Sequence, residues 1–148
     1  LISVLKFLEG ETADIHGRTI SDIWAFNDSQ IETEHNFIQW LFPTSTPSLS
    51  VPGSPILSAG DIKEIRESEI AIDNLHKSGD WYFNFLERNT FWIKPHDHNH
   101  LRITRVIQSI RLLSDADDAE FFKQQILRLI GNNLSIIPPK TQKFWKDA

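Results

Sequence analysis

The chain has 148 residues, of which 40% are hydrophobic and 11% aromatic, with five Trp and ten Phe, enough apolar matter for one packed domain over residues 1–148. Twenty acidic against 15 basic residues leave a net charge of -5, which argues against general binding to nucleic-acid phosphates, and no apolar run approaches the roughly 20 residues of a bilayer-spanning helix. The absence of cysteine excludes disulfides, thiolate metal sites and a cysteine nucleophile, and fits a cytoplasmic setting.

The opening LISVLKFL is too short to cross a bilayer and carries Lys6; with no methionine in the sequence, an initiator or a longer N-terminal piece is expected to have been trimmed. In DIHGRTI, Gly17 and Arg18 read as a tight turn with an exposed Arg or as an arm of a ligand site. A short helix is predicted over Thr19 to Phe26, opened by Thr19 and Asp22 in capping-box spacing, with Ile20, Ile23 and Trp24 on its apolar side. Asp28 is expected to cap a second helix from about Ser29 to Phe42, stopped by Pro43. Projected at ~100° per residue, that helix gathers Glu32, His35, Asn36 and Gln39 into one stripe. Ile31, Phe37, Ile38, Trp40, Leu41 and Phe42 fill the rest, so the helix is largely buried. Its short uncharged polar groups suit either internal hydrogen bonding or contact with a ligand or partner.

PTSTPSLSVPGSP, Pro43 to Pro55, is a long Pro/Ser-rich loop that borders a site or makes a plain surface excursion. Ser58 and Asp61 open a helix lined by Ile62, Ile65, Ile72 and Leu75, which Gly79 interrupts or ends. DWYFNFL, Asp80 to Leu86, reads as continuing helix, although so short a period leaves a strand open. Trp81, Tyr82 and Trp92 suit the core better than a cofactor wall. After a connection through Phe91, Trp92 and Pro95 comes the main helix, Asn99 to Leu113. Asp117 or Asp118 should cap the next one, with Phe122, Ile126 and Leu129 inward and Gly131 as its stop. Phe144 and Trp145 anchor a last turn.

HNHLRITR, His98 to Arg105, is the densest polar run. Ile103, Val106, Ile107, Ile110 and Leu113 form one apolar stripe on its helix, Leu101 and Leu112 a second, and Arg102, Arg105 and Ser109 fall in the wedge between them. A desolvated guanidinium there needs a partner. Glu32, Asp22 and main-chain carbonyls are the internal candidates, an Arg–Glu32 bridge being the favoured one. Alternatively an anionic ligand docks at the helix start, with His98 and Asn99 as directional donors and Arg102 as the charge. HDHNH, His96 to His100, is a weak metal signal: neighbouring helix positions diverge, and HEXXH is absent. A nuclease reading of HNH lacks its ββα context, and without GXSXG a serine nucleophile has no support. No metal and no cofactor are expected.

GRTISDI, IETEHNFIQWLFP, SPIL and Trp92 followed by HNHLRITRVIQSI, in that order, resemble the conserved region of the opioid growth factor receptor family. The resemblance runs from about Gly17 to Phe122. Glu32, His35, Ile38, Gln39, Trp40, Leu41, Phe42 and Pro43 match the first motif. Trp92, His98, Asn99, Leu101, Arg102, Ile103, Thr104 and Arg105 match the second. Gly17, Arg18 and the Ser54–Pro55 pair fit the microbial members, and a microbial-type member is the expectation. WYFNFL stands where the family tends to a Met-Leu-x-Phe-Tyr-Gly-like segment, so the inner surface is repacked there. The long repetitive tail of the vertebrate receptors is missing.

The resemblance implies an all-α, multi-helix domain; in vertebrates the family is associated with binding an endogenous opioid pentapeptide and restraining growth at or near the nucleus. The leading expectation is a non-enzymatic helical binding domain for a small anionic molecule or peptide, its polar site lying between the HNFIQWLFP and HNHLRITR helices. Arg18, Glu32, His35, Asn36, Gln39, Trp40, Trp92, His98, Asn99, Arg102 and Arg105 are the expected ligand contacts. The alternatives are a hydrolase or transferase using His35 or His98 as general base, and an interaction subunit docking a protein partner through Trp145 or the Pro-rich loop.

Overall fold

Polar caps decide where the chain turns helical. In a computed structural model, which describes residues 3–148, Ser3 accepts a hydrogen bond from the Lys6 N–H and starts α1 (Val4–Leu8); the first two residues of the LISVLKFL run lie outside the described residues. Thr19 and Asp22 exchange the two bonds of the expected capping box at α2 (Ile20–Trp24). Asn27, rather than Asp28, caps α3 (Asp28–Thr33), using Gln30 in the same reciprocal way. After the one-turn helix α4 (Ile38–Leu41), Ser58 and Asp61 box the start of α5 (Ala59–Arg66). Ser68 then caps α6 (Glu69–Arg88). Next come α7 (Asn99–Leu113), with the bounds expected for it, and α8 (Ala116–Ile130), capped by Asp115 rather than by Asp117 or Asp118. Finally α9 (Pro139–Asp147) begins on a proline, whose missing N–H costs nothing in a first turn.

The described residues contain nine α-helices, two short 3-10 segments and no strand. No helix among them is long and apolar enough to cross a membrane. The thirteen-residue loop before α5 is pinned at its base, where Thr44 and Ile56 form a lone parallel bridge and the Leu57 N–H donates to the Thr44 carbonyl at 2.9 Å. At its tip Leu49 is 98% exposed.

Two expected helices are each broken. The one expected from Ser29 to Phe42 is interrupted at residues 34–37, where Glu34 turns extended (φ -76°, ψ 134°). The other breaks at Glu67 and Ser68, while Gly79, expected to interrupt it, lies inside α6. There a β-carbon would meet Ile110 Cδ1 of α7 at 3.7 Å, an ordinary contact, so Gly79 is carried as a plain interior helix residue.

The core draws side chains from both ends of the chain. Phe7, Phe37, Phe42, Tyr82, Phe85, Trp92 and Trp145 are fully buried, and removing any such ring would cost about 3 to 5 kcal/mol. Trp145 was an expected docking residue, yet it is 1% exposed and donates its indole N–H to the His100 carbonyl of α7 at 3.1 Å. Its neighbour Phe144 faces outward, so only Trp145 anchors α9. The second apolar stripe on α7 is also only partly packed: Leu112 is half-buried and Leu101 is 69% exposed.

Candidate functional site

The α7 wedge meets main chain. Arg102 is 8% exposed and donates to the Ile31 carbonyl at 2.8 Å, the Glu34 carbonyl at 2.6 Å and Asn99 Oδ1 at 3.2 Å. Its guanidinium also lies 5.2 Å from the Phe37 ring centroid. A turn further on, Arg105 Nε donates to the Phe42 carbonyl at 2.9 Å, and Ser109 donates to the Pro43 carbonyl at 2.8 Å. These bonds go with the break before α4: Arg102 takes up two carbonyls at the end of α3 that a continuing helix would have used. They also correct the expected Arg–Glu32 bridge, because Arg102 is satisfied by carbonyls of the α3 segment and by Asn99.

Glu32 instead pairs with His98, through Oε1 and the imidazole Nε2, and it also accepts a long 3.5 Å bond from Asn99 Nδ2. His98 Nδ1 lies 4.0 Å from an Asp97 carboxylate oxygen, so both ring nitrogens face carboxylates. Asp97, which sequence reasoning passed over as a cap, supplies the anion at the start of α7. Its Oδ1 accepts from the Asn99 N–H at 2.9 Å and from Asn99 Nδ2 at 2.8 Å. An aspartate just before a helix that carries none in its first turn is the signal that could have identified it. Asn99 is fully buried and takes the Tyr82 hydroxyl at 2.7 Å on its Oδ1, while burial raises the Tyr82 pKa far above its ordinary value.

Arg18, expected to be exposed or to reach a ligand, is an internal tie. It forms a 2.8 Å salt bridge to the buried Asp14 and donates to Asn36 Oδ1 at 2.8 Å and to the Asn36 carbonyl at 3.1 Å. Gly17 makes this turn at φ +80°, a backbone that L side chains rarely adopt. Trp40 and Trp92 are core residues, one edge-on to Phe7 and the other donating to the Leu86 carbonyl.

What remains is a cleft of about 580 Å³ between α4, α7 and the Pro/Ser loop. It brings together five of the eleven expected contacts, His35, Gln39, His98, Arg102 and Arg105. Arg18, Glu32, Asn36, Trp40, Trp92 and Asn99 do not line it. Ser48, Ser50 and Val51 of the loop form one wall; Ile38 and Leu101 add apolar surface. Two buried atoms of the lining residues, Arg105 Nη2 and Gln39 Oε1, have no hydrogen-bond partner among the described residues. Burial also lowers the Arg105 guanidinium from its ordinary 12.5 to about 10, so it remains a cation at neutral pH.

His35 is exposed, its ring 6.0 Å from that of His98. His100 points elsewhere, with Nε2 2.7 Å from the Trp92 carbonyl and its ring edge-on to Trp145. His96, Asp97, His98 and His100 line one shallow cleft, yet no three His, Asp or Glu among the described residues form a group that could hold a metal ion.

The family described as opioid growth factor receptor conserved region matches residues 4–136. The opioid growth factor receptor of Rattus norvegicus is 28% identical over 64% of this chain, which covers 20% of that protein. The opioid growth factor receptor-like protein 1 of Mus musculus is 26% identical over 72% of this chain, which covers 26% of it. The chain thus spans about a fifth to a quarter of the length of these curated relatives. No solved structure matches it.

Proposed function

This chain belongs to the opioid growth factor receptor conserved-region family, and on that premise we propose that it is a non-enzymatic helical binding domain. Its ligand is a small anionic molecule or a peptide carrying a terminal carboxylate, held in the cleft between α4 and α7. The observation that carries this reading is the pair of unpartnered atoms, Arg105 Nη2 and Gln39 Oε1, in one cleft. Buried polar groups in folded proteins are nearly always hydrogen-bonded, so an unpaired cationic donor beside an unpaired carboxamide suits a ligand that completes both. Arg105 supplies the charge and Gln39 a directional hydrogen bond. His35 and His98 edge the site, and Ile38, Leu101 and Val51 accept an apolar body.

Arg102, Glu32, Asn99, Arg18 and Asn36 then act as the scaffold that orients α7 against the 31–43 segment, with Trp40 and Trp92 as packing. The pairing of His98 Nε2 with Glu32 supports a binding role for that ring over general-base catalysis, because the carboxylate already occupies this nitrogen. The relatives' name refers to a growth factor, which makes a peptide the favoured ligand class. A core built from both ends of the chain supports one domain, and the lack of cysteine supports a cytoplasmic setting.

Calorimetric titration with an N-acetylated pentapeptide ending in leucine, once with a free carboxylate and once amidated, tests this reading. The free acid is expected to bind, the amide about tenfold or more weakly, and Arg105→Leu to bind neither. Equal affinity for acid and amide overturns the carboxylate assignment. Silence with both, and with inorganic phosphate, overturns the site.

A further inference from the structure

A second cleft, of about 370 Å³, lies on the other limb of the Pro/Ser loop, lined by Thr44, Ser45 and Thr46 together with Arg66 of α5 and Gln108 and Arg111 of α7. No carboxylate side chain lines it. Arg66 donates only a 3.4 Å bond to the Leu112 carbonyl, Arg111 donates through Nε to the Ala148 carbonyl, and neither forms an ion pair among the described residues. Two guanidiniums therefore share a cleft with three hydroxyl-bearing residues and no Asp or Glu side chain.

Among those hydroxyls Thr46 is singled out by its neighbour. Pro47 biases the preceding residue toward extended backbone and removes the next N–H, which is the feature a proline-directed protein kinase reads. Thr46 is exposed, two residues beyond the pinned base of the loop, and its hydroxyl lies 3.2 Å from that of Thr44, so its position relative to α5 and α7 is fixed while the residue stays accessible. Ser54, the other hydroxyl followed by proline, is partly buried, with its Oγ donating to the Val51 carbonyl at 2.6 Å, and it is outside this cleft.

We propose that Thr46 is a phosphorylation site and that Arg66 and Arg111 receive its phosphate. The threonine oxygen attacks the γ-phosphorus of ATP, the new O–P bond forms as the bond to the β-phosphate oxygen breaks, ADP leaves with the electron pair, and the hydroxyl proton passes to the kinase's base. The product carries about -1.5 to -2 charges near neutral pH and three acceptor oxygens, which match planar guanidinium donors. Phosphorylation would thus strap residues 44–46 to α5 and α7. The loop continues from there into Ser48, Ser50 and Val51 of the polar cleft, so the modification would order that wall too.

The test is to treat the folded full chain with ATP and a proline-directed kinase, map the product by mass spectrometry, and follow cleavage in residues 45–52 by a nonspecific protease. Incorporation at Thr46, abolished by Thr46→Val, is expected. Cleavage should slow by about tenfold, and an Arg66→Gln/Arg111→Gln variant carrying the same phosphate should lose that protection. No incorporation at Thr46, no slowing, or protection that survives the double variant overturns the proposal. Arginine-dependent protection of unmodified protein by inorganic phosphate alone also overturns it, by showing a site for free anions.

Discussion

Arg102 and Arg105 stand three residues apart on α7 and face the same 31–43 segment, yet they meet different ends of it. Arg102 meets the frayed end of α3, where two carbonyls have lost their helical partners, and it uses both as well as Asn99. Arg105 meets the end of the one-turn α4, where it finds only Phe42, and one arm of its guanidinium is left over in a cleft. Burial alone therefore does not separate scaffold from site. Saturation of the donors does.

Replacing each arginine in turn is the strongest test of that contrast. Arg102→Ala would leave the Ile31 and Glu34 carbonyls and Asn99 without their shared donor, and a loss of about 3 to 5 kcal/mol in urea unfolding is expected. A loss near zero would mean that water replaces the guanidinium and that the α3–α7 joint is not held by it. Arg105→Leu breaks one neutral-acceptor bond and removes a partly unpaired charge, so about 1 kcal/mol is expected, together with loss of carboxylate binding. If that variant unfolds as readily as the first, Arg105 is scaffold as well and the contrast collapses.

The smallest effect belongs to a pair outside both regions. Asp28 at the start of α3 meets Arg88 at 2.7 Å and Asn89 at 2.9 Å, and the Arg88 and Asn89 hydrogen bonds hold its carboxyl below the ordinary 3.8. A carboxyl lowered by folding adds stability above its unfolded pKa and loses it as pH falls through the folded value. Both partners are half exposed, so solvent screening limits Arg88→Ala to about 0.5 kcal/mol at pH 7, shrinking toward zero in acid. A deficit that grows as the pH drops below 3.8 would contradict this sign.

What local chemistry encodes was readable from the residues. The capping boxes of α2 and α5, both ends of α7, the stop at Gly131 and the irregular loop all depend on neighbours within a few positions. The two broken helices were not readable, for opposite reasons. At residues 34–37 nothing nearby forbids a helix, and the break goes with bonds from Arg102, 68 residues further along the chain. At Gly79 the expected breaker is simply helical, buried within the twenty-residue α6, which its packing against neighbouring helices carries through. The polar stripe projected for an unbroken helix therefore divided, Asn36 joining Arg18 and only His35 and Gln39 reaching the cleft.

The joint between α7 and the 31–43 segment is lopsided in what it asks of the sequence. On one side stand three particular side chains, Arg102, Arg105 and Ser109; on the other stand the carbonyls of Ile31, Glu34, Phe42 and Pro43, a group that every amino acid carries. The accepting side can exchange side chains without erasing the bonds, so long as the backbone path survives. The donors of the joint are written on a single helix, while the segment contributes the Glu32 carboxylate and the Phe37 ring. Transplanting the α7 donors onto another scaffold would carry the instruction for folding back such a segment, provided that the segment keeps a carboxylate for His98 and Asn99 and a ring for Arg102.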